Sequence, residues 1–214
     1  MALRWTEEAR AIAAPLWGAI LEHGFINGLR DGTLPDEKLV FYFEQNVHYI
    51  DTVVRCREIA AAKAVSDKER NFFLDRTPVI VEELQHQRKT LAALGGNPSA
   101  PIAPACHGYT RHILSLAWSR RPVEYFGAFL PCPLSYDEIG RSLRGRLTKP
   151  AHRDWWEFYM SREHNEMCDR YRDFVDELVV DTSQSEQDEM IKNFVLSSKY
   201  EYWFWDMAYD RETW

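Results

Sequence analysis

Apolar residues recur three and four positions apart through almost all of this sequence. That spacing lines one face of an α-helix and suits no strand. In "TEEARAIAAPLWGAILEHGF" it is kept by Ile12, Leu16 and Ile20, with Pro15 inside the pattern, so a helix is expected to kink there or begin in earnest near it. "GLRDGTLP" reads as a loop, with Gly32 placed for a positive φ and Pro35 for a helix first turn. A long aromatic helix follows, roughly Asp36 to Ala64, containing "EKLVFYFEQNVHYIDTVVRCREIAAAKA". A third starts near Asp67 and stops at "GGNPSAP", a glycine pair followed by proline. Further helices are expected over Ala105–Ser119, Pro122–Arg146, Arg153–Leu178 and Ser185–Tyr209. No segment alternates in the manner of a strand, and no repeat or linker interrupts the chain. The expectation is an all-α protein, one bundle of about seven helices and a single domain over residues 1–214.

The 214 residues are 45% hydrophobic and 14% aromatic, with eight Trp, enough to fill a core and still line a pocket. A net charge of -7 and the lack of a basic run exclude a nucleic-acid surface, which needs clustered Lys and Arg. "MALRWTEEARAIAAPLW" carries Glu7 and Glu8 and no long apolar core, unlike a secretory signal. No uncharged run is long enough to span a bilayer. The chain is expected to be cytoplasmic. Its cysteines, Cys56, Cys106, Cys132 and Cys168, are widely spaced without a C-x-x-C pair, so free thiols are expected rather than a zinc ribbon or a disulfide framework.

In a helical bundle, sites are built from polar side chains on otherwise apolar stripes. "FLPCPLSYDEIG" places Cys132 between two prolines, with Tyr136 one turn later on the same helix face. The second helix carries Glu44, Gln45, Asn46, His48 and Tyr49 among Phe41, Phe43, Val47 and Ile50. Asn46 and Tyr49 share a face, and Asn46 is either a satisfied core amide or a ligand-reading one. In "SSKYEYWFWDMAYDRETW" five aromatic residues surround Glu201, which is either a desolvated proton donor or part of a solvated face. Glu83 and His86 have the Glu-x-x-His spacing of helical di-iron sites, but Glu163 and His164 are adjacent, so a second such pair is missing and a metal oxidase is half supported. No G-x-S-x-G, G-x-G-x-x-G or P-loop string is present.

Four segments, in order, resemble the TenA family of type II thiaminases and aminopyrimidine aminohydrolases, which has the all-helical heme-oxygenase-like fold. They are "LWGAILEHGFINGLRDGTLPDEKLVFYFEQNVHYI", "CHGYTRHIL", "LPCPLSYDEIG" and "YEYWFWDMAY". Position by position, the resemblance implies that Cys132 is the nucleophile, Glu201 the proton donor and Tyr49 the residue that sharpens the thiol. Tyr109, Tyr136, Tyr159 and Phe204 fall where pocket residues lie. Two positions depart from the pattern. Gly24 replaces a proline, and Asn46 stands where the thiaminases carry an aspartate that grips the pyrimidine edge. An amide offers a donor beside an acceptor and pairs with a neutral aminopyrimidine, but supplies no charge to a cation-like ring. The resemblance implies cysteine-dependent hydrolysis of a 5-substituted 4-amino-2-methylpyrimidine, in salvage of thiamin pyrimidine, by a homotetramer with no metal or organic cofactor. Helix N-terminal amides at Cys132 are expected to favour its thiolate. The alternatives are a pyrimidine binder without turnover and a heme-oxygenase-like metal oxidase.

Overall fold

The computed structural model describes residues 3–214, and the regular elements among them are twelve α-helices and one 3-10 turn, with no strand. The count exceeds seven because four of the expected helices are divided and part of one expected loop is helical. α1 (Trp5–Ile12) and α2 (Ala14–Leu21) part at Ala13, beside the Pro15 that fills the first turn of α2. α3 (Gly24–Asp31) takes up much of the expected loop. His23 Nδ1 accepts from the Phe25 N–H at 3.0 Å to open it, and Gly32, at φ 71°, closes it. α4 (Asp36–Lys63) runs unbroken as expected. The third expected helix divides into α5 (Asp67–Leu74), capped by Ser66, and α6 (Thr77–Ala93), with proline in its first turn. α7 (Pro104–Ser119) follows. α8 (Pro122–Phe129) and α9 (Pro131–Leu143) divide the fifth, and α10 (Pro150–Trp156) and α11 (Arg162–Leu178) the sixth. A 3-10 turn, Val179–Asp181, leads to α12 (Gln184–Asp210), within a residue of expectation at each end.

Contacts gather the chain into two compact units, one of residues 3–35 and 126–205, the other of 36–125 and 206–214. The first is packed around tryptophan. Trp17 of α2 lies flat on Phe194 of α12, centroids 5.9 Å apart, and its indole N–H donates to Ser198 Oγ at 2.9 Å. The Arg10 guanidinium sits 4.4 Å from the Trp17 ring centroid and is gripped by both carboxylate oxygens of Glu138, at 2.7 Å each. One aromatic plate thereby joins α1, α2, α9 and α12. Two glycines let backbones meet in this unit. A Cβ on Gly127 would fall 2.5 Å from the Met190 carbonyl oxygen, and one on Gly140 2.8 Å from the Tyr159 carbonyl carbon.

In the second unit α5, α6 and α7 pack on α4. Two cations of α4 cap the ends of its neighbours. Buried Arg57 donates to the carbonyls of Phe72 and Phe73 near the end of α5, at 3.1 and 2.8 Å. Lys63 donates to Ala117, Trp118 and Arg120 at the end of α7. Each supplies donors and positive charge where helix carbonyls lack both, worth about 0.3–2 kcal/mol. Among the described residues no helix is long and apolar enough to cross a membrane.

Candidate active site

The second residue of α9 is Cys132. It is half-buried, whereas Cys56, Cys106 and Cys168 are fully buried, and none of the four is in a disulfide. Burial pushes the thiols of Cys56 and Cys106 up to about 12, and that of Cys168 up as well. These three thiols stay protonated at neutral pH, which leaves Cys132 as the thiol open to chemistry. The helix-amide contribution at Cys132 is thinner than expected. Pro131 and Pro133 carry no N–H, and the Leu134 N–H is spent on the Leu130 carbonyl at 3.1 Å. Leu130 is itself helical, at φ -59° and ψ -35°, and its N–H reaches the Phe126 carbonyl. The chain therefore passes from α8 into α9 almost without leaving the helix. The prolines remove rungs from its ladder instead of opening a fresh N-terminus.

One turn beyond Cys132, Tyr136 stands in an aromatic box. Its ring stacks on Trp156 at 5.5 Å and 12°, with Tyr159 at 4.9 Å and Trp205 at 5.5 Å. Glu201 lies one turn before Trp205 on α12 and Phe204 directly before it. Both are buried at 4% exposure, while Trp203 is 43% exposed. That excludes the solvated-face reading of Glu201, whose side chain belongs to the inner face of α12. The first unit thus brings Tyr136 and Tyr159 into contact, sets Cys132 on the Tyr136 side of α9, and sets Glu201 on the Trp205 side of α12.

Behind the cysteine turn sits a polar cluster, Asp137, His164 and Cys168, the only such group of three candidate metal ligands among the described residues. Asp137 accepts from Asn165, Arg141 and Arg172, so a cation there would compete with two guanidinium groups. The Cys168 thiol donates to the Pro133 carbonyl at 3.4 Å and lies 3.5 Å from His164 Nε2. His164 stands edge-on to Tyr159 at 5.3 Å. Burial lowers its pKa from 6.5 to about 4. The folded state therefore refuses a proton that the unfolded chain takes up below pH 6.5. This stability contribution is complete above pH 6.5 and is lost as pH falls to 4, a drop of about 3 kcal/mol. Urea melts between pH 7 and 4 are expected to show that slope, and His164→Gln is expected to flatten it.

The second unit holds Asn46, Tyr49 and Tyr109. The rings of Tyr49 and Tyr109 meet at 4.8 Å, joining α4 to α7. Each polar residue before Tyr49 has its own partner. Glu44 accepts from the Asn97 N–H at 2.8 Å, and Gln45 spans the chain entering α7 through Pro101 O and the Ala103 N–H. His48 Nε2 meets Ala100 O at 2.9 Å. Asn46 turns to α6 and donates from Nδ2 to Gln87 Oε1 at 2.6 Å, and Gln87 donates in turn to Glu83 Oε1. One N–H of the Asn46 amide is therefore spent inside the unit, on Gln87. Glu83 serves Gln87, and His86 is exposed, so the Glu-x-x-His spacing does not build a metal centre among the described residues. Trp156 and Gln87 were not singled out from sequence. Only the four-residue step from Glu83 to Gln87 on one helix carried a signal.

These helices form a heme-oxygenase-like fold. A Shewanella denitrificans domain of unknown function with that fold superposes at TM-score 0.77 and 14% identity, over 96% of this chain and 92% of its own. The family follows from the sequence, since residues 10–211 match the TENA/THI-4/PQQC family, and the chain belongs to it. The aminopyrimidine aminohydrolase of Bacillus subtilis (strain 168) is 28% identical over 99% of this chain and 92% of its own length. A TenA homologue protein from P. horikoshii OT3 superposes at TM-score 0.89 and 26% identity, over 97% of this chain and 99% of that one.

Proposed function

We propose that this protein hydrolyses 5-substituted 4-amino-2-methylpyrimidines through the thiol of Cys132. The observation that carries the reading is a half-buried cysteine one turn from an aromatic box, in a chain whose three other thiols are shut away. The similarity to an aminopyrimidine aminohydrolase supplies the substrate class. The packed aromatic side chains of Tyr136, Tyr159, Trp156 and Trp205 wall this side of the cysteine turn, and a flat heteroaromatic ring packs well against such a wall.

In this reading the Cys132 thiolate adds to an electron-poor carbon of the pyrimidine. Addition breaks the ring's aromaticity, and the electron pair that returns expels the amine from the exocyclic methylene. Glu201 gives that amine its proton and then takes one from the incoming water. Hydroxide adds at the methylene, the Cys132–carbon bond breaks, and the ring regains aromaticity as the hydroxymethyl pyrimidine. Asn46 reads the pyrimidine edge. Tyr49, Tyr109 and Phe204 keep the roles that the resemblance gives them. The assembly we propose is a homotetramer, and Trp203 and Trp118, 43% and 66% exposed, are large apolar side chains that it would cover.

The test is to incubate the protein with 4-amino-5-aminomethyl-2-methylpyrimidine, and separately with thiamin, in ¹⁸O-water. Mass spectrometry is expected to find hydroxymethyl pyrimidine carrying one ¹⁸O, formed faster from the aminomethyl compound. No product from either compound would sink the proposal.

A further inference from the structure

Glu83, Gln87 and Asn46 form a chain of hydrogen bonds that runs in one direction. Asn46 Nδ2 donates to Gln87 Oε1 at 2.6 Å, and Gln87 Nε2 donates to Glu83 Oε1 at 3.1 Å. The two amides are buried, at 5% and 2% exposure, and Glu83 stands half-buried at the end of the chain. A side-chain amide is nearly the same shape either way round, yet its two orientations present opposite patterns of donor and acceptor. A carboxylate can only accept. Glu83 therefore draws the Gln87 NH2 toward itself, Gln87 shows its oxygen to Asn46, and Asn46 must answer with its own NH2.

We propose that Glu83, acting through Gln87, locks the Asn46 amide in one orientation and so makes the site select a 4-amino over a 4-oxo pyrimidine. This rests on the reading above, in which Asn46 meets the edge formed by N3 and the substituent at C4. In the locked orientation one N–H of Asn46 goes to Gln87. Oδ1 and the second N–H remain side by side. Oδ1 accepts from an exocyclic amine, and the N–H donates to an unprotonated N3. A 4-oxo pyrimidine carries a carbonyl at C4 and a proton on N3, so both bonds are reversed. It fits only if the Asn46 amide turns over, which sets its oxygen against that of Gln87. The ring cannot turn over instead, because its 2-methyl and 5-substituents would exchange places with groups of different size. Glu83 and Gln87 are positioning residues in this arrangement, and neither need touch the ligand.

The experiment measures equilibrium binding by calorimetry of two unreactive probes, 4-amino-5-hydroxymethyl-2-methylpyrimidine and its 4-oxo counterpart. Wild-type protein is expected to favour the amino compound by about 10- to 100-fold, the discrimination of one well-aligned amide pair. E83Q keeps shape but can donate or accept, so Gln87 and Asn46 are freed to turn, and the ratio is expected to fall below about threefold. The double variant E83Q/Q87E restores an acceptor-only group facing Asn46, with Gln at 83 now donating to it, and is expected to recover most of the ratio. Thermal melts of each variant check folding. A merely structural role for Glu83 would weaken both probes alike, and an unchanged ratio in E83Q overturns the proposal. So does failure of the folded double variant to recover it. Wild-type protein that binds both probes equally refutes the orientation lock alone. Wild-type protein that binds neither refutes the aminopyrimidine reading and the lock with it.

Discussion

Replacing Cys132 with alanine is expected to lower kcat for the aminomethyl pyrimidine by at least about 10³-fold, while the hydroxymethyl product still binds within about threefold of wild type. In the proposed reaction the new bond forms at sulfur, so losing the thiol removes the covalent route and not a share of it. In the proposed reading, ring recognition does not depend on sulfur but on aromatic side chains such as Tyr136, Trp156 and Tyr159. Serine at this position is expected to do little better than alanine, because its hydroxyl stays protonated where a thiol ionises. Steady-state kinetics and calorimetry separate the two effects. Equal losses in binding and turnover would mean that Cys132 only packs against the ligand, and the nucleophile would have to be sought elsewhere.

Gly140→Ala is expected to destabilise the protein by about 3 kcal/mol, lowering Tm by about 6–12 °C. The methyl group would be forced against the Tyr159 carbonyl, with Met160 N 3.3 Å away, and backbone cannot rotate aside as a side chain can. The strain does not stop at stability. Tyr159 packs on Tyr136 and Trp156, so a displaced backbone there loosens the aromatic box, and KM is expected to rise along with the loss in Tm. Thermal melts and KM measured on the same preparation check both halves. A normal Tm would show that α9 and the segment after α10 have room to separate.

The long helices α4 and α12 were legible because their hydrophobic pattern is continuous and their ends are marked. The divisions at Leu130 and between α5 and α6 were not. Apolar spacing continues straight across both, and at Leu130 the backbone itself stays helical, so no change of period announces the break. Glu201 could not be settled from its neighbours in sequence, since aromatic residues sit on both its sides. Only the packing of α12 separates the buried face of Phe204 and Trp205 from the exposed one of Trp203. The polar partners were hidden for a plainer reason. Asn46 meets Gln87 41 residues away, and Gln45 meets Ala103 58 away, and no local pattern carries a contact at that range. Cys132 and Tyr136 stood out by their spacing in a proline-bracketed segment, and Tyr159 entered only through the resemblance. Trp156, which completes their box, differs from its neighbour Trp155 by a single helical step.

The unequal burial of the four thiols also makes this chain a natural single-label protein. An electrophile supplied in modest excess meets sulfur at one address, the first turn of α9, and the other three are shielded until the chain unfolds. Counting labels per molecule would then report whether the chain is folded without any engineering. One label marks a folded protein, and four mark a chain that has come apart.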